Sequence, residues 1–241
     1  MTIFIVGLFI TNSRAAILAA LFSSVFILYH LNKKILKYVG ILMVICLPLL
    51  FVPEVQLFIG LYFRTENLSS GRNFIMETIS KVILSNPVIG YGPAATKYAI
   101  YPNIPFMLGS PAEKFILFHY NEIQFGHAHN FYLFFWSDMG LLGLFTSLFL
   151  PVVYFKLCSQ ALKKAKELHN LEYQYLVLSL TGAGIGLFFR GLFEWGNLIS
   201  YGTINGDLPF WIIFSIIILL NMNTISPSGK IFSTTTSLNK I

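Results

Sequence analysis

The sequence predicts an all-α, polytopic transmembrane helical bundle, with about five full spans, one truncated span and a long outer loop containing short helices. Three observations carry that reading. Apolar residues make up 56% of the chain and charged residues only 11%, whereas a soluble domain carries about a quarter charged residues. Apolar stretches of about 20 residues recur, the length a helix needs to cross the hydrocarbon core. The basic residues behind the net charge of +6 sit in short clusters between those stretches, as in membrane loops. A nucleic-acid surface would spread them over a polar face, so no nucleic-acid partner is expected.

Taken in order, the first ten residues form an apolar run too short to cross, with no Lys or Arg ahead of it. It lacks the basic start of a signal peptide and reads as a truncated sixth span, as if a longer parent preceded it. Full spans are expected at Ala15–Leu31, Ile35–Val52, Asn130–Phe155, Leu171–Phe189 and Leu208–Met222. Pro48, Pro151 and Pro209 fall near span ends, where a missing N–H is tolerated. Residues 53–128 are too long and too mixed for a connector, and Asn86-Pro87, Gly90, Gly92-Pro93 and Pro102 punctuate them with turns. Within this region Phe74–Leu84 reads as an amphipathic surface helix, with Ile75, Ile79, Val82 and Ile83 toward lipid or core. Residues 1–223 thus form one transmembrane domain, of which 53–128 is the outer loop region. Residues 224–241 are expected to be a cytoplasmic tail without fixed structure.

Sidedness follows from the lysines. Lys33, Lys34 and Lys37 occupy one short loop, Lys156, Lys163, Lys164 and Lys166 another, and Lys230 and Lys240 the tail. With the spans above these lie on one face, and the positive-inside rule makes it cytoplasmic. The four arginines, Arg14, Arg64, Arg72 and Arg190, fall on or near the opposite face.

That split directs attention to chemistry. A guanidinium grips phosphate or carboxylate oxygens with a planar fork, and a charged group near a membrane boundary needs a partner. An arginine at a helix end can also simply snorkel to headgroups. Here two of the four stand beside polar turns, Thr11-Asn12-Ser13-Arg14 and Ser69-Ser70-Gly71-Arg72. At the outer end of the third span stands Gly126-His127-Ala128-His129-Asn130. If the helix ran unbroken, His129, Leu133, Trp136, Gly140 and Gly143 would fall within about 40° of a common line. Its glycines would admit a neighbouring helix, aiming His129 inward; a structural hydrogen bond is the plainer use of that imidazole. His127 and His129 suggest a metal pair, but no Cys or acidic cluster completes a ligand set. Arg190 and Glu194, four apart, are expected to pair along one face, with a role in the site as the alternative. The glycine-rich run Thr181–Gly186 lies inside a span and reads as a packing surface through Gly182 and Gly186. Cys46 and Cys158 lie in or beside apolar segments and imply no disulfide.

These residues resemble the O-antigen ligase and polymerase superfamily, over about residues 1–155. Thr11-Asn12-Ser13-Arg14-Ala15 resembles its Thr-x-Ser-Arg turn. Ser70-Gly71-Arg72, followed by Asn86-Pro87-Val88-Ile89-Gly90-Tyr91-Gly92, resembles its Ser-Gly-Arg and Asn-Pro-hydrophobic-x-Gly-x-Gly stretch. His129-Asn130 with Gly140 and Gly143 resembles its His-Asn motif. The chain departs from the ligase pattern at Leu144-Phe145, where Ser or Thr follows the last glycine, and Phe74 stands for an aromatic usually placed closer to Ser-Gly-Arg. Ligase and polymerase therefore both remain open. The resemblance implies transfer of a glycan from an undecaprenyl pyrophosphate carrier to a sugar or lipid A-core acceptor. It implies a bacterial inner membrane location, an outward-facing active side, and no metal or other cofactor. By motif position His129 is the expected general base and Arg14 and Arg72 the pyrophosphate clamp. Arg64, Asn130, His127, Arg190 and Glu194 are expected to bind substrate. The alternative from another class is a membrane transporter for a small anion such as bicarbonate, since arginines in a bundle can pass anions. Such a carrier would hold its charges near the midplane, not at one boundary.

Overall fold

The computed structural model describes residues 6–8, 10, 13–63, 72–103, 109, 128–200, 204–222, 224–225 and 231–232. Its architecture is helical. Ser13 caps α1 (Arg14–Leu31) by accepting from the Ala16 N–H at 3.3 Å. Asn32 both ends that helix and starts α2 (Lys33–Cys46): its N–H donates to Leu28, and its side chain accepts from the Lys34 and Ile35 N–H groups. A 3₁₀ turn, Leu47–Phe51, extends α2, and α3 (Pro53–Phe63) follows. Then come α4 (Arg72–Ser85), α5 (Thr96–Asn103), α6 (Phe131–Glu167), α7 (Leu171–Arg190) and α8 (Ile204–Met222). In the tail, Thr224 and Ile225 pair antiparallel with Phe232 and Ile231.

Four described helices are long and apolar enough to cross a membrane: α1, α2 with its 3₁₀ extension, α6 and α8. The 20-residue α7 has the length but carries Glu172 and Gln174 in its first turns. It packs against α1, α6 and α8, so neighbours cover much of its surface. Small residues make this possible. A Cβ on Gly182 would lie 2.7 Å from Ile27, and one on Gly186 3.1 Å from the Ala19 carbonyl. The Phe189 ring packs against Phe22, with ring centroids 4.2 Å apart and the planes tilted by 38°. On the other side the Tyr154 ring occupies the place of a Gly184 side chain, and its hydroxyl donates to the Leu180 carbonyl at 2.6 Å. Gly182 and Gly186 therefore pack helix on helix, as their spacing predicts.

These contacts fix direction. Moving up α7 from Gly182 to Phe189 moves down α1 from Ile27 toward Ala19, so the two are antiparallel. Tyr154 meets Leu180 while Gln174 donates to the Ala165 carbonyl, so the long run of α6 is antiparallel to α7 as well. Lys164 donates to Leu220 and Asn221, which sets the ends of α6 and α8 side by side. One end of the bundle thus holds the Asn32 turn and the Lys163, Lys164 and Lys166 cluster. The other holds Arg14, His129 and Arg190. Lys81 and Lys97, on α4 and α5, stand apart from the lysine-rich end.

The third span differs from expectation. It starts at Phe131, runs to Glu167 and bends sharply at Gly140 (φ 59°, ψ −144°), a conformation that essentially only glycine adopts. A straight helix would separate residues 135 and 143 by about 12 Å. Instead the Phe135 carbonyl oxygen fills the place of a Gly143 side chain. A short arm (131–139) therefore folds back on a long arm (141–167), and the long arm alone exceeds the length needed to cross. The stripe predicted from His129 to Gly143 does not form. Gly140 and Gly143 accommodate the chain's own backbone, not a neighbouring helix.

The bend is held from residues 72–103. Ile79, Val82 and Ile83 of α4, with Ala99 and Ile100 of α5, join Phe131, Phe134 and Phe135 in one buried cluster. The apolar stripe of α4 thus faces the core. Between α4 and α5 the turn over 86–95 is clasped to the bend: Tyr91 N–H donates to the Ser137 carbonyl (3.0 Å), Gly92 N–H to Asp138 (2.7 Å), and Leu141 N–H to Val88 (3.1 Å).

Candidate functional site

At the arginine end, Asn130 begins α6. Its side chain accepts from the Leu133 N–H at 3.0 Å and donates to the Leu192 carbonyl at 2.9 Å. With the Phe131-to-Gly191 bond, this fastens the start of the short arm to the turn that ends α7. His129 precedes the cap with φ 45°, the left-handed region that costs a non-glycine residue about 1–2 kcal/mol. Strain of this kind persists where surrounding bonds over-determine the backbone, as the Asn130 and Phe131 bonds do here. His129 therefore lies outside the helix and is set by the cap.

The imidazole Nδ1 stands 3.7 Å from the Glu194 Oε2, with both side chains about a quarter to a third exposed. That separation suits an ion pair but exceeds a hydrogen bond, and Nδ1 is a buried atom with no hydrogen-bond partner. Arg190, the last residue of α7, likewise has its Nε buried without a partner. Buried polar atoms are nearly always paired, so two unmatched ones at one end of a bundle mark a place where a ligand could complete the set.

The expected Arg190–Glu194 pair is corrected by these contacts. Helix α7 stops at Arg190, so Glu194 does not continue the same face. The two are linked through backbone, Glu194 N–H to the Arg190 carbonyl at 3.0 Å, and the Glu194 carboxylate lies beside His129 instead. Asp207, in the first turn of α8, closes this end of the molecule. Its carboxylate accepts from the Asn197 N–H (3.0 Å) and from the Ser200 N–H (2.5 Å) and hydroxyl (2.8 Å).

The structure therefore brings His129, Asn130, Arg190 and Glu194 together, with Arg14 opening α1 at the same end of the bundle. Arg72 opens α4, but its side chain lies outside the described residues, as do Arg64 and His127 entirely. Among the described residues, no three His, Cys, Asp or Glu side chains gather as a metal would need.

Two acids escaped the sequence reading. Asp138 is fully buried; one carboxylate oxygen accepts from the Ala94 N–H (2.9 Å), and the other from the Thr96 N–H (3.2 Å) and hydroxyl. It caps α5 from within α6. Asp207 does the corresponding work for the 197–200 loop. The available signal was an acid within an apolar membrane segment, which must find donors.

The family described as O-antigen ligase matches residues 1–148 of the chain. No curated protein matches it, and no solved structure does.

Proposed function

Since the chain belongs to the O-antigen ligase family, a family of membrane glycan biosynthesis, we propose that it transfers a glycan from undecaprenyl pyrophosphate to a sugar acceptor. The acceptor is lipid A-core sugar or the next repeat unit, and the reaction takes place at the outer side of the bacterial inner membrane. Sugar C1 bonded to pyrophosphate already has a good leaving group, so the protein's tasks are two. It must stabilise the negative charge that departs with the carrier, and it must take the proton of the attacking hydroxyl. Arg14 and Arg72, with Arg64 assisting, suit the first task through their forked donors. His129 suits the second.

The single observation that carries this reading is the unmatched His129 Nδ1, 3.7 Å from the Glu194 carboxylate, at the same end of the bundle as the unmatched Arg190 Nε. A small rotation of the imidazole would let Nδ1–H donate to Glu194. That would fix the tautomer and leave Nε2 free to receive a proton, the base-plus-orienter logic of many transfer enzymes. Arg190 is assigned a cation's role toward the leaving pyrophosphate, and Asn130 and His127 are assigned to acceptor binding. Arg14 and Arg190 stand at one end of the bundle, which supports transfer at a boundary over anion conduction through the middle. The test is turnover of lipid-linked glycan in liposomes by the intact chain and by Glu194→Gln. The reading expects a reduced rate constant with little change in donor affinity; an unaltered rate would remove Glu194 from the base's support.

A further inference from the structure

We infer that the turn Asn86–Gly92 is seated in the bilayer, with Val88 and Ile89 at its tip, and Leu84 beside them, entering the acyl chains of the leaflet at the arginine end. The surface is apolar where a water-facing turn would be polar. Leu84, Val88 and Ile89 are 75%, 62% and 77% exposed, although Ile79, Val82 and Ile83 on the same module are buried. An exposed apolar tip beside a fully packed apolar face needs its own partner.

What covers it follows from where the turn is fastened. The Val88 carbonyl accepts from Leu141 N–H, the first residue of the long arm. Below that point Leu142, Phe145, Phe149 and Val152 are all strongly exposed. At 100° per residue they fall within about 80° of one another, so they form one lipid-facing stripe on a membrane-length helix. The tip sits at the head of that stripe and continues its surface. Two amphipathic rings flank it, as at membrane–water boundaries. Trp136 donates its indole N–H to the Pro87 carbonyl at 3.1 Å, and the Tyr91 hydroxyl shares a hydrogen with Ser85 at 2.6 Å. Lys81, exposed one turn before Leu84, can reach headgroups.

The measurement is nitroxide accessibility in the intact chain reconstituted into phosphatidylglycerol–phosphatidylethanolamine liposomes. Exposed Cys46 is replaced by Ser, and buried Cys158 is kept. A label at Ile89→Cys should collide more with oxygen than with a water-soluble nickel chelate, giving a positive depth parameter. A label at Glu77→Cys, on the exposed side of α4, should show the reverse. A nickel-accessible label at position 89 would overturn the inference. So would a label there shielded from both reagents, which would mean that protein and not lipid covers the tip. Because no turnover is involved, the outcome does not depend on the transfer reaction proposed above.

Discussion

Gly90 and Gly140 meet backbone against backbone: a Cβ on Gly90 would lie 2.5 Å from the Gly140 nitrogen, and one on Gly140 would overlap the Val88 carbonyl. Both have positive φ, 75° and 59°. This contact lets the turn over 86–95 clasp the bend of α6, and the bend in turn places the short arm that carries His129 at its start.

Gly140→Ala should therefore be severely destabilising. Overpacking typically costs about 1–3 kcal/mol, and a side chain in this essentially glycine-only backbone conformation about 1–3 kcal/mol more. Gly92→Ala, at φ 101° with only Ala95 at 3.8 Å, carries the strain alone. Thermal unfolding in detergent should rank position 140 well below position 92. The opposite ranking would mean that the clasp does not limit stability.

Asp138 should tolerate little. Asp138→Asn keeps the shape but turns an amide N–H₂ toward donors that now share a carboxylate, and Asp138→Ala abandons all three. A buried unsatisfied donor costs about 1–3 kcal/mol. We expect Asn to lose stability and Ala to lose more, with protease sensitivity rising at residues 94–96. Equal stability of all three proteins would show that α5 is held by its apolar face alone.

The Tyr154–Gly184 contact gives a separable test in the membrane core. Gly184→Ala drives a methyl into the ring and should cost about 1–3 kcal/mol. Tyr154→Phe loses only the bond to Leu180, which in a membrane bundle averages about 0.6 kcal/mol. Combining Gly184→Ala with Tyr154→Leu should recover part of the loss, because neighbouring sites are not additive. Strict additivity in chemical denaturation would mean that the two positions do not compete for space.

Most of the helices were legible in the sequence, because 20-residue apolar runs are local signals. So was the packing face of α4, and so was the use of Gly182 and Gly186 as a helix-packing surface, though not that α1 is the helix that meets it. The bend at Gly140 was not, since it interrupts an unbroken apolar run and its partner Gly90 lies 50 positions earlier. Asp138 was missed for the same reason: its donors at Ala94 and Thr96 are distant in sequence. Gathering His129 and Glu194 depends on the Asn130–Leu192 and Phe131–Gly191 bonds, 62 and 60 residues apart. Helical spacing instead linked Glu194 to Arg190.

Arginine chemistry can be separated from positive charge. Arg72→Lys keeps charge but loses the fork and should abolish most glycan transfer, whereas Arg190→Lys should do less. Initial rates with reconstituted protein check this, and full activity with lysine at position 72 would remove the clamp role assigned there.

The central claim is that His129 takes the acceptor's proton. A positioned general base contributes about 10²–10⁴-fold. The direct measurement is the transfer rate of lipid-linked glycan by His129→Ala and His127→Ala, each shown to insert and fold like the parent. The account predicts at least the lower loss at position 129 and a much smaller one at 127; equal or reversed losses would contradict it.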